Sequence, residues 1–153
     1  MNRPKVQPAL LLSADDVETQ FYEALQAGDL ERMMALWADD EEISCVSPGG
    51  PRLVGRSAIR AAFESMFAQG GHVSAYPERV RRLHTEDTAI HMVLERVQFG
   101  DPGSGSHGSK SAWVIATNVY LKTVLGWRLA LHHASPGTPH DVQEVVEEPA
   151  TLH

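Results

Sequence analysis

Apolar residues recur at two different spacings along the chain, and the change of spacing divides it into two parts. In the first half they recur every three or four positions, which predicts helices. The first predicted helix begins at Ser13 and ends at Gly28, a second short helix follows Asp29, and a third begins at Gly55 or Ser57. Ser and Asp commonly cap helix N-termini, and Gly commonly ends helices, so the boundaries agree with the spacing.

In the second half, apolar and polar residues alternate, which predicts β-strands with one face toward a core. Including two short segments before the third helix, the pattern predicts strands at residues 43–46, 52–54, 73–84, 88–99, 111–122 and 127–135. The turn residues Ser47-Pro48-Gly49-Gly50 join the two short strands. This order predicts an α+β fold, with three N-terminal helices packed on a curved, mostly antiparallel sheet.

The alternation also assigns a face to each side chain of the last two strands. In the final strand the more apolar face, which we expect to lie under the helices, carries Trp127, Leu129, Leu131 and His133. The strand before it is apolar on both faces: one carries Val114 and Asn118, and the other carries Trp113, Ile115 and Val119. The helices can cover only one face, so we expect a second copy of the chain to cover the Trp113 face in a homodimer. The alternative is that the terminal segments fold over it.

Composition and charge limit the class of protein. The chain has 153 residues, enough for one domain with a core, flanked by a predicted flexible arm (1–12) and an acidic, proline-containing tail (137–153). The net charge is −7 and the basic residues are scattered, which argues against nucleic acid as a partner. No apolar run is long enough for a membrane span or a signal peptide, so we expect no membrane partner and a cytoplasmic protein.

Three stretches, in order, resemble a known superfamily. FYEALQAGDLERMMALWADD (21–40) resembles the opening helices of the nuclear-transport-factor-2-like, or ketosteroid-isomerase-like, superfamily, and LVGRSAIRAAFESMF (53–67) resembles its next helix entry. GWRLALHHAS (126–135) is similar to the closing strand of the SnoaL-like branch. The resemblance spans residues 13–136. It implies a cone-shaped fold that encloses a pocket between the helices and the sheet, often in a dimer.

The resemblance also implies positions for catalytic groups. The isomerases of this superfamily carry an Asp base in a D-P-x-G corner, where this chain has Ser47, and a serine hydroxyl accepts no proton near neutrality without a base of its own. Their two oxyanion donors match Phe21 and Asn118, of which only Asn118 can donate. Tyr22 stands one residue beyond the expected place and is predicted to lie at the pocket rim. Isomerisation of the steroid type is therefore not expected.

His133 is the predicted substitute for the missing base, because histidine exchanges protons near neutral pH. The alternative is a packed His133 that hydrogen-bonds to neighbouring strands. The predicted pocket is lined by Trp37, Phe63, Val114, Asn118, Leu131 and His133, with Ser47 and Tyr22 near its mouth. In the 88–99 strand, Arg96 is assigned to the pocket face and Glu95 to the other, so no pair of inward carboxylates is expected.

Other chemistries have weaker support. No H-x-H or H-x-x-x-H pair occurs and His132 and His133 alternate across the sheet, so no metal site is predicted. There is no G-x-S-x-G elbow, and the Gly/Ser-rich loop at 100–110 lacks the G-K-[ST] ending of a phosphate loop. No cofactor is predicted.

Three functions remain open at this point. The first is a domain that binds a small apolar or carbonyl-containing molecule. The second is an isomerase, cyclase or dehydratase that uses His133 as acid or base. The third is a dimerisation or accessory module without a ligand. The expected lack of inward carboxylates favours the first and the third, and the sequence does not decide whether the protein is an enzyme.

Overall fold

A computed structural model describes residues 11–70, 73–99, 110–138 and 144–147. The helices are α1 (Ala14–Ala27), α2 (Leu30–Ala35) and α3 (Arg56–Ala68). The strands are β1 (Ser44–Val46), β2 (Arg52–Val54), β3 (Val73–His84), β4 (Thr88–Phe99), β5 (Lys110–Thr123) and β6 (Gly126–Pro136). Each predicted helix and strand is present with ends that agree within a residue or two, so the α+β prediction is confirmed.

The predicted capping residues begin and end the first two helices. The Ser13 side chain accepts a hydrogen bond from the backbone amide of Asp16, and the Asp29 side chain accepts one from the amide of Arg32. Gly28 ends α1 in the left-handed conformation (φ 64°), where its amide reaches the last carbonyls of the helix. These local interactions explain why α1 and α2 meet at the Gly28-Asp29 break.

The strands form one six-stranded sheet in the order β2-β1-β6-β5-β4-β3. All neighbouring strands are antiparallel except β1 and β6, which are parallel, so the mostly antiparallel prediction is confirmed. Contacts from α1 to β3, β5 and β6 place this helix across one face of the sheet. The apolar core lies between the helices and that face, and any site built there is screened from water.

A β-bulge in β6 overturns part of the face assignment. Tyr120 of β5 pairs with Leu129, but Val119 pairs with Leu131, so Ala130 is an extra residue in β6. One extra residue reverses the alternation of every residue that follows it. His132 therefore points inward and is buried, whereas His133 is exposed. The prediction that His133 faces the interior is wrong.

The same bulge moves Leu131 out of the predicted pocket. Leu131 is the cross-strand partner of Val119, and both are only half-buried, so it lies on the outer face of the sheet. The prediction that Leu131 lines the interior is therefore also wrong.

The prediction of which β4 side chains face the interior is wrong as well. The buried residues on its inner face include His91 and Glu95, whereas Arg96 forms an ion pair with Glu78 and lies over the Tyr76 ring. Both faces of β4 carry apolar residues, so hydrophobicity alone does not identify the buried face. The structure shows that α1 covers the face that carries Glu95, and a carboxylate is present in the interior after all.

The outer face of β5 agrees with the prediction. Val114 and Asn118 are buried under the helices, and Trp113, Ile115 and Val119 keep part of their surface exposed.

Three predicted segments lie wholly or mostly outside the described residues. They are the arm up to residue 10, the loop at 100–109 and most of the tail. The last part of the predicted arm packs against the domain, since Leu11 is buried and its carbonyl accepts a hydrogen bond from the Trp127 amide. Among the described helices, none combines the length and apolar character needed to cross a bilayer.

Candidate functional site

Polar side chains gather inside the apolar core, on the sheet face that α1 covers. All are buried, and they are Glu18, Tyr22, His91, Glu95, Asn118, Tyr120 and His132. Burying a polar or charged group is unfavourable unless it is hydrogen-bonded, so such a concentration requires an internal network. Two clusters of hydrogen-bonded side chains form this network, and we name each cluster after the glutamate that it contains.

Two elements position these side chains. Glu18 and Tyr22 are four residues apart on α1, so they project from the same helix face. Below them, the sheet register places His91, Asn118 and His132 side by side on β4, β5 and β6. The polar residues of the sheet thus form a row across three strands, and Glu18 and Tyr22 of α1 lie over this row.

The Glu95 cluster consists of Tyr22, Glu95, Asn118 and His132. The Tyr22 hydroxyl donates to Glu95 Oε2 (2.6 Å), and Asn118 Nδ2 donates to the Tyr22 hydroxyl oxygen (3.2 Å). His132 Nδ1 lies 2.6 Å from Asn118 Oδ1. An amide oxygen can only accept, so His132 Nδ1 carries a hydrogen and donates it.

This direction of donation sets the chemistry of the other imidazole nitrogen. A neutral His132 with its hydrogen on Nδ1 has a free lone pair on Nε2. His132 Nε2 lies 4.0 Å from Glu95 Oε2, the carboxylate oxygen that also accepts from Tyr22. A proton acceptor and a carboxyl group therefore face each other across a short gap.

Burial shifts the ionisation of both groups away from their charged forms. Burial raises the pKa of Glu95 to about 7, with the Tyr22 hydrogen bond opposing and the Glu18 charge adding to that rise. Burial, with a smaller effect of His133, lowers the pKa of His132 to about 4. Between these two values Glu95 holds a proton and His132 is a neutral acceptor. The pair is thus a carboxylic acid beside a base.

The Glu18 cluster consists of Glu18, His91 and Tyr120. Glu18 Oε2 lies 2.6 Å from His91 Nδ1 and accepts a hydrogen bond from the Tyr120 hydroxyl (3.0 Å). The His91 and Tyr120 rings also meet edge-on, with centroids 4.8 Å apart. Here the carboxylate and the imidazole are in direct contact.

Several side chains predicted for the pocket do meet at the Glu95 cluster. Tyr22 is not a rim residue: it is buried and bonded to Glu95. Phe63 packs edge-on against Phe21, and Phe21 packs against the His132 ring with centroids 4.9 Å apart. Together with Asn118, these contacts bring the predicted residues of α1, α3 and β5 to one place.

The remaining predicted residues have less direct roles. Trp37 is buried, and its indole nitrogen has no hydrogen-bond partner in the described part of the chain. Val114 is buried and is the cross-strand partner of Glu95. Ser47 is half-buried, and its carbonyl accepts from the Gly50 amide (2.8 Å), so its backbone closes the turn between β1 and β2.

The single cysteine lies beside His132 in the register of the sheet. Burial and the nearby Glu95 charge raise the pKa of Cys45 to about 12. Cys45 therefore stays a thiol near neutral pH and does not act as a nucleophile.

Sequence reasoning missed Glu18, His91, Glu95 and His132. One signal was available for Glu18, because it lies on the apolar stripe of α1 between Val17 and Phe21, where a charge requires a partner. No comparable signal exists for His132, whose orientation depends on the bulge at Ala130.

Residues 15–139 match the model of the SnoaL-like domain. The chain belongs to this family. No curated protein matches the chain. Among solved structures, the chain is 33% identical to a candidate calcium/calmodulin-dependent protein kinase type II association domain from Thiobacillus denitrificans, with 84% of this chain and 98% of that one covered and a TM-score of 0.74.

Two further solved structures help to define the SnoaL-like fold. A candidate dehydratase of the NTF2-like family from Streptomyces avermitilis is 33% identical, covers 79% of this chain and 92% of its own, and gives a TM-score of 0.70. An NTF2-like protein with a cystatin-like fold from Novosphingobium aromaticivorans is 19% identical over 79% of this chain and 77% of its own, with a TM-score of 0.64. The predicted superfamily is therefore confirmed.

Proposed function

We propose that this SnoaL-like protein is an acid–base enzyme that removes water from, or shifts a proton within, a small carbonyl-containing molecule. The observation that carries the proposal is the buried pair in which His132 Nε2 faces Glu95 Oε2 across 4.0 Å. It replaces the His133 mechanism, since His133 is exposed on the outer face. It also retains the carbonyl-containing ligand expected from the sequence.

The pair can perform an elimination with balanced protons. His132 Nε2 takes a proton from a carbon next to the substrate carbonyl, and the electrons of that C–H bond form the new double bond. The C–O bond at the neighbouring carbon breaks, and Glu95 supplies its proton so that the hydroxyl leaves as water. A base as weak as His132 needs a C–H bond acidified by a carbonyl, which identifies the substrate class as β-hydroxy carbonyl compounds.

The pair returns to its starting state without an outside proton. After water leaves, His132 holds a proton that it did not have and Glu95 has lost one. Transfer from Nε2 to the carboxylate across the gap restores both. In a proton shift, Glu95 instead protonates the far carbon of the conjugated system, and the same transfer resets the pair.

Exposure agrees with these roles. Glu95 and His132 keep 5% and 7% of their surface accessible, whereas Asn118 is completely buried. Asn118 is thus suited to holding the His132 ring through Nδ1, away from solvent. The family likeness to the Streptomyces avermitilis protein also supports a dehydratase.

The test uses a panel of small β-hydroxy ketones, with the enone product followed by its ultraviolet absorbance and α-deuterium exchange in D2O followed by NMR. We expect turnover by the wild type and a loss of roughly 10²–10⁴-fold in kcat/KM for His132→Gln and for Glu95→Gln. His133→Gln and Glu78→Gln are the matched controls. His133 is exposed on the strand that carries His132, and Glu78 is half-buried in an ion pair with Arg96, outside the Glu95 cluster, so both variants are expected to keep full activity.

Two results would overturn the enzyme proposal. One is a wild type that neither dehydrates nor exchanges any member of the panel. The other is a His132→Gln protein that is folded and as active as His133→Gln. Binding of panel ketones without either reaction would support the simpler function of a small-molecule binding domain.

We also infer that the chain forms a homodimer through the outer sheet face around Trp113, Ile115 and Val119. Ile115 is 43% exposed, and the bulge adds Leu131 to this face beside Val119. The likeness to a candidate association domain supports self-association. Light scattering should give a dimer for the wild type and a monomer for Ile115→Lys. Val124→Lys, on the exposed β5–β6 turn, should remain a dimer, and a monomeric wild type would contradict the inference.

A cytoplasmic location, the domain limits 13–136, and the absence of nucleic-acid and membrane partners remain predictions from the sequence.

A further inference from the structure

We propose that Asp15, Glu18 and His91 form a binding site for a divalent transition-metal ion such as Zn²⁺. One candidate ligand atom from each of the three residues lies within 4.8 Å of the others. Asp15 and Glu18 are three residues apart on the first turns of α1, so they share a helix face, and His91 comes from β4 below them. Imidazole and carboxylate groups are ligands that zinc uses.

A cleft gives an ion access to Asp15 and His91. It has a volume of about 210 Å³ and lies between the start of α1 and the β3–β4 hairpin. Its lining includes Asp15, Arg82, His84, His91 and Trp127. An ion held by three protein ligands here would have space for a water or a small ligand on its open side, and His84 stands in the same cleft.

The charge balance of Glu18 favours a cation. Glu18 is 5% exposed, and within the described residues no lysine or arginine forms an ion pair with its carboxylate. The partners that the structure gives it are the Tyr120 hydroxyl and His91. A buried carboxylate requires a compensating positive charge, which either a proton on His91 or a bound metal ion can supply. The metal would take the place of the proton between Glu18 and His91.

The geometry needs only a small adjustment. Zinc ligands lie about 2.0–2.2 Å from the ion, which puts them roughly 3.5 Å from one another. Glu18 Oε2 and His91 Nδ1 are 2.6 Å apart and must therefore separate by about 1 Å to admit the ion, while Asp15 moves closer by a similar distance. The Asp15 side chain is 61% exposed and is paired with Arg82 at 2.9 Å, so it is free to rotate on the surface. Arg82 is thus a competitor for the Asp15 carboxylate.

Titration calorimetry with Zn²⁺ on the full chain, stripped of metal with a chelator, tests the site. We expect one ion per chain, with binding weakened by roughly 10–100-fold in Asp15→Asn and in His91→Gln. Arg82→Gln should tighten binding, because it frees Asp15. Co²⁺ in place of Zn²⁺ should show the visible absorption of a low-coordinate site with nitrogen and oxygen ligands.

Controls separate this site from the surface histidines. Asp16→Asn changes the neighbouring acid, which instead accepts a hydrogen bond from the Leu12 amide, and His133→Gln removes an exposed histidine. Both should bind zinc like the wild type. Because Asp15 is exposed, Asp15→Asn is expected to stay folded, which circular dichroism checks. The proposal would be overturned if the wild type did not bind zinc. It would also be overturned, as adventitious binding only, if Asp15→Asn and His91→Gln bound zinc as tightly as the wild type does. None of these results depends on Glu95.

Discussion

The Glu18 and Glu95 clusters each contain a glutamate, a tyrosine and a histidine, yet they hold these residues differently. Each has a buried carboxylate that accepts from a tyrosine hydroxyl, and each has a buried histidine. In the Glu18 cluster the carboxylate and imidazole touch at 2.6 Å, whereas in the Glu95 cluster they stand 4.0 Å apart. In the Glu18 cluster the carboxylate and the imidazole bond to each other. In the Glu95 cluster the gap leaves both groups available to a third molecule.

Asn118 is the cause of this difference. Asn118 Oδ1 accepts a hydrogen bond from His132 Nδ1, and Asn118 Nδ2 donates one to the Tyr22 hydroxyl. The histidine is therefore held by a neutral group, and its Nε2 keeps a free lone pair. The Nδ1 atom of His91 instead contacts the charged group itself, the Glu18 carboxylate. The hydrogen-bond partner, and not the residue type, thus decides whether the imidazole contacts the carboxylate directly or faces it across a gap.

The largest expected effect comes from removing each carboxylate. Glu18→Ala leaves His91 and Tyr120 without their shared acceptor in the core, and we expect it to lower the free energy of unfolding by about 4 kcal/mol. Glu95→Ala removes the carboxylate that accepts the Tyr22 hydroxyl and should cost about 2 kcal/mol. Urea denaturation measures both. Equal losses, or a larger loss for Glu95→Ala, would contradict the view that the Glu18 cluster is the more firmly bonded.

The next effect is a pH dependence of opposite sign for the two members of the pair. The pKa of Glu95 rises from 4.5 to about 7 on folding, so its stabilisation is complete below pH 4.5 and is lost as the pH rises to 7. The pKa of His132 falls from 6.5 to about 4, so its contribution is present above pH 6.5 and is lost as the pH falls to 4. Neither group is a principal cause of the other's shift.

Single substitutions should therefore reveal the two slopes. In Glu95→Gln, stability should rise by about 3 kcal/mol between pH 4 and 6.5, and in His132→Gln it should fall by about 3 kcal/mol between pH 4.5 and 7. In the wild type the two slopes oppose each other. Thermal unfolding across this pH range measures them, with His133→Gln as the control. Two variants with slopes of the same sign would refute the ionisation states assigned to the pair.

The smallest effect separates the two tyrosines. Tyr22→Phe and Tyr120→Phe each remove one hydroxyl that a buried carboxylate accepts from, and each should cost about 1 kcal/mol. Only Tyr22→Phe should raise the pKa of Glu95 above its value of about 7, because the Tyr22 bond favours the charged carboxylate. Carbon-13 NMR of labelled glutamate follows this titration. A matching rise in Tyr120→Phe would mean that the clusters act as one unit.

Much of the fold could be predicted from the sequence because its signals are local. The spacing of apolar residues, the Ser13 and Asp29 caps and the Gly28 terminator act within a few residues of one another, and the structure agrees with them. The inward direction of Asn118 was also predictable, because β5 keeps an uninterrupted alternation between Val114 and Tyr120.

The reactive pair could not be predicted, for two physical reasons. On β4 both faces are apolar, so the side that receives the helices, and with it the direction of Glu95, depends on packing. On β6 the register relative to β5 shifts at Ala130. This shift is a property of the pairing between two strands, and the sequence of neither strand indicates it.

The sequence by itself determined the helices, the strands, their order and the family, because these follow from short-range periodicity and turn chemistry. Only the tertiary structure decided which side chains share the interior. That outcome depends on strand register and on the face that α1 covers, both of which are set by contacts between distant segments. A single extra residue at Ala130 was enough to place His132, and not His133, opposite Glu95.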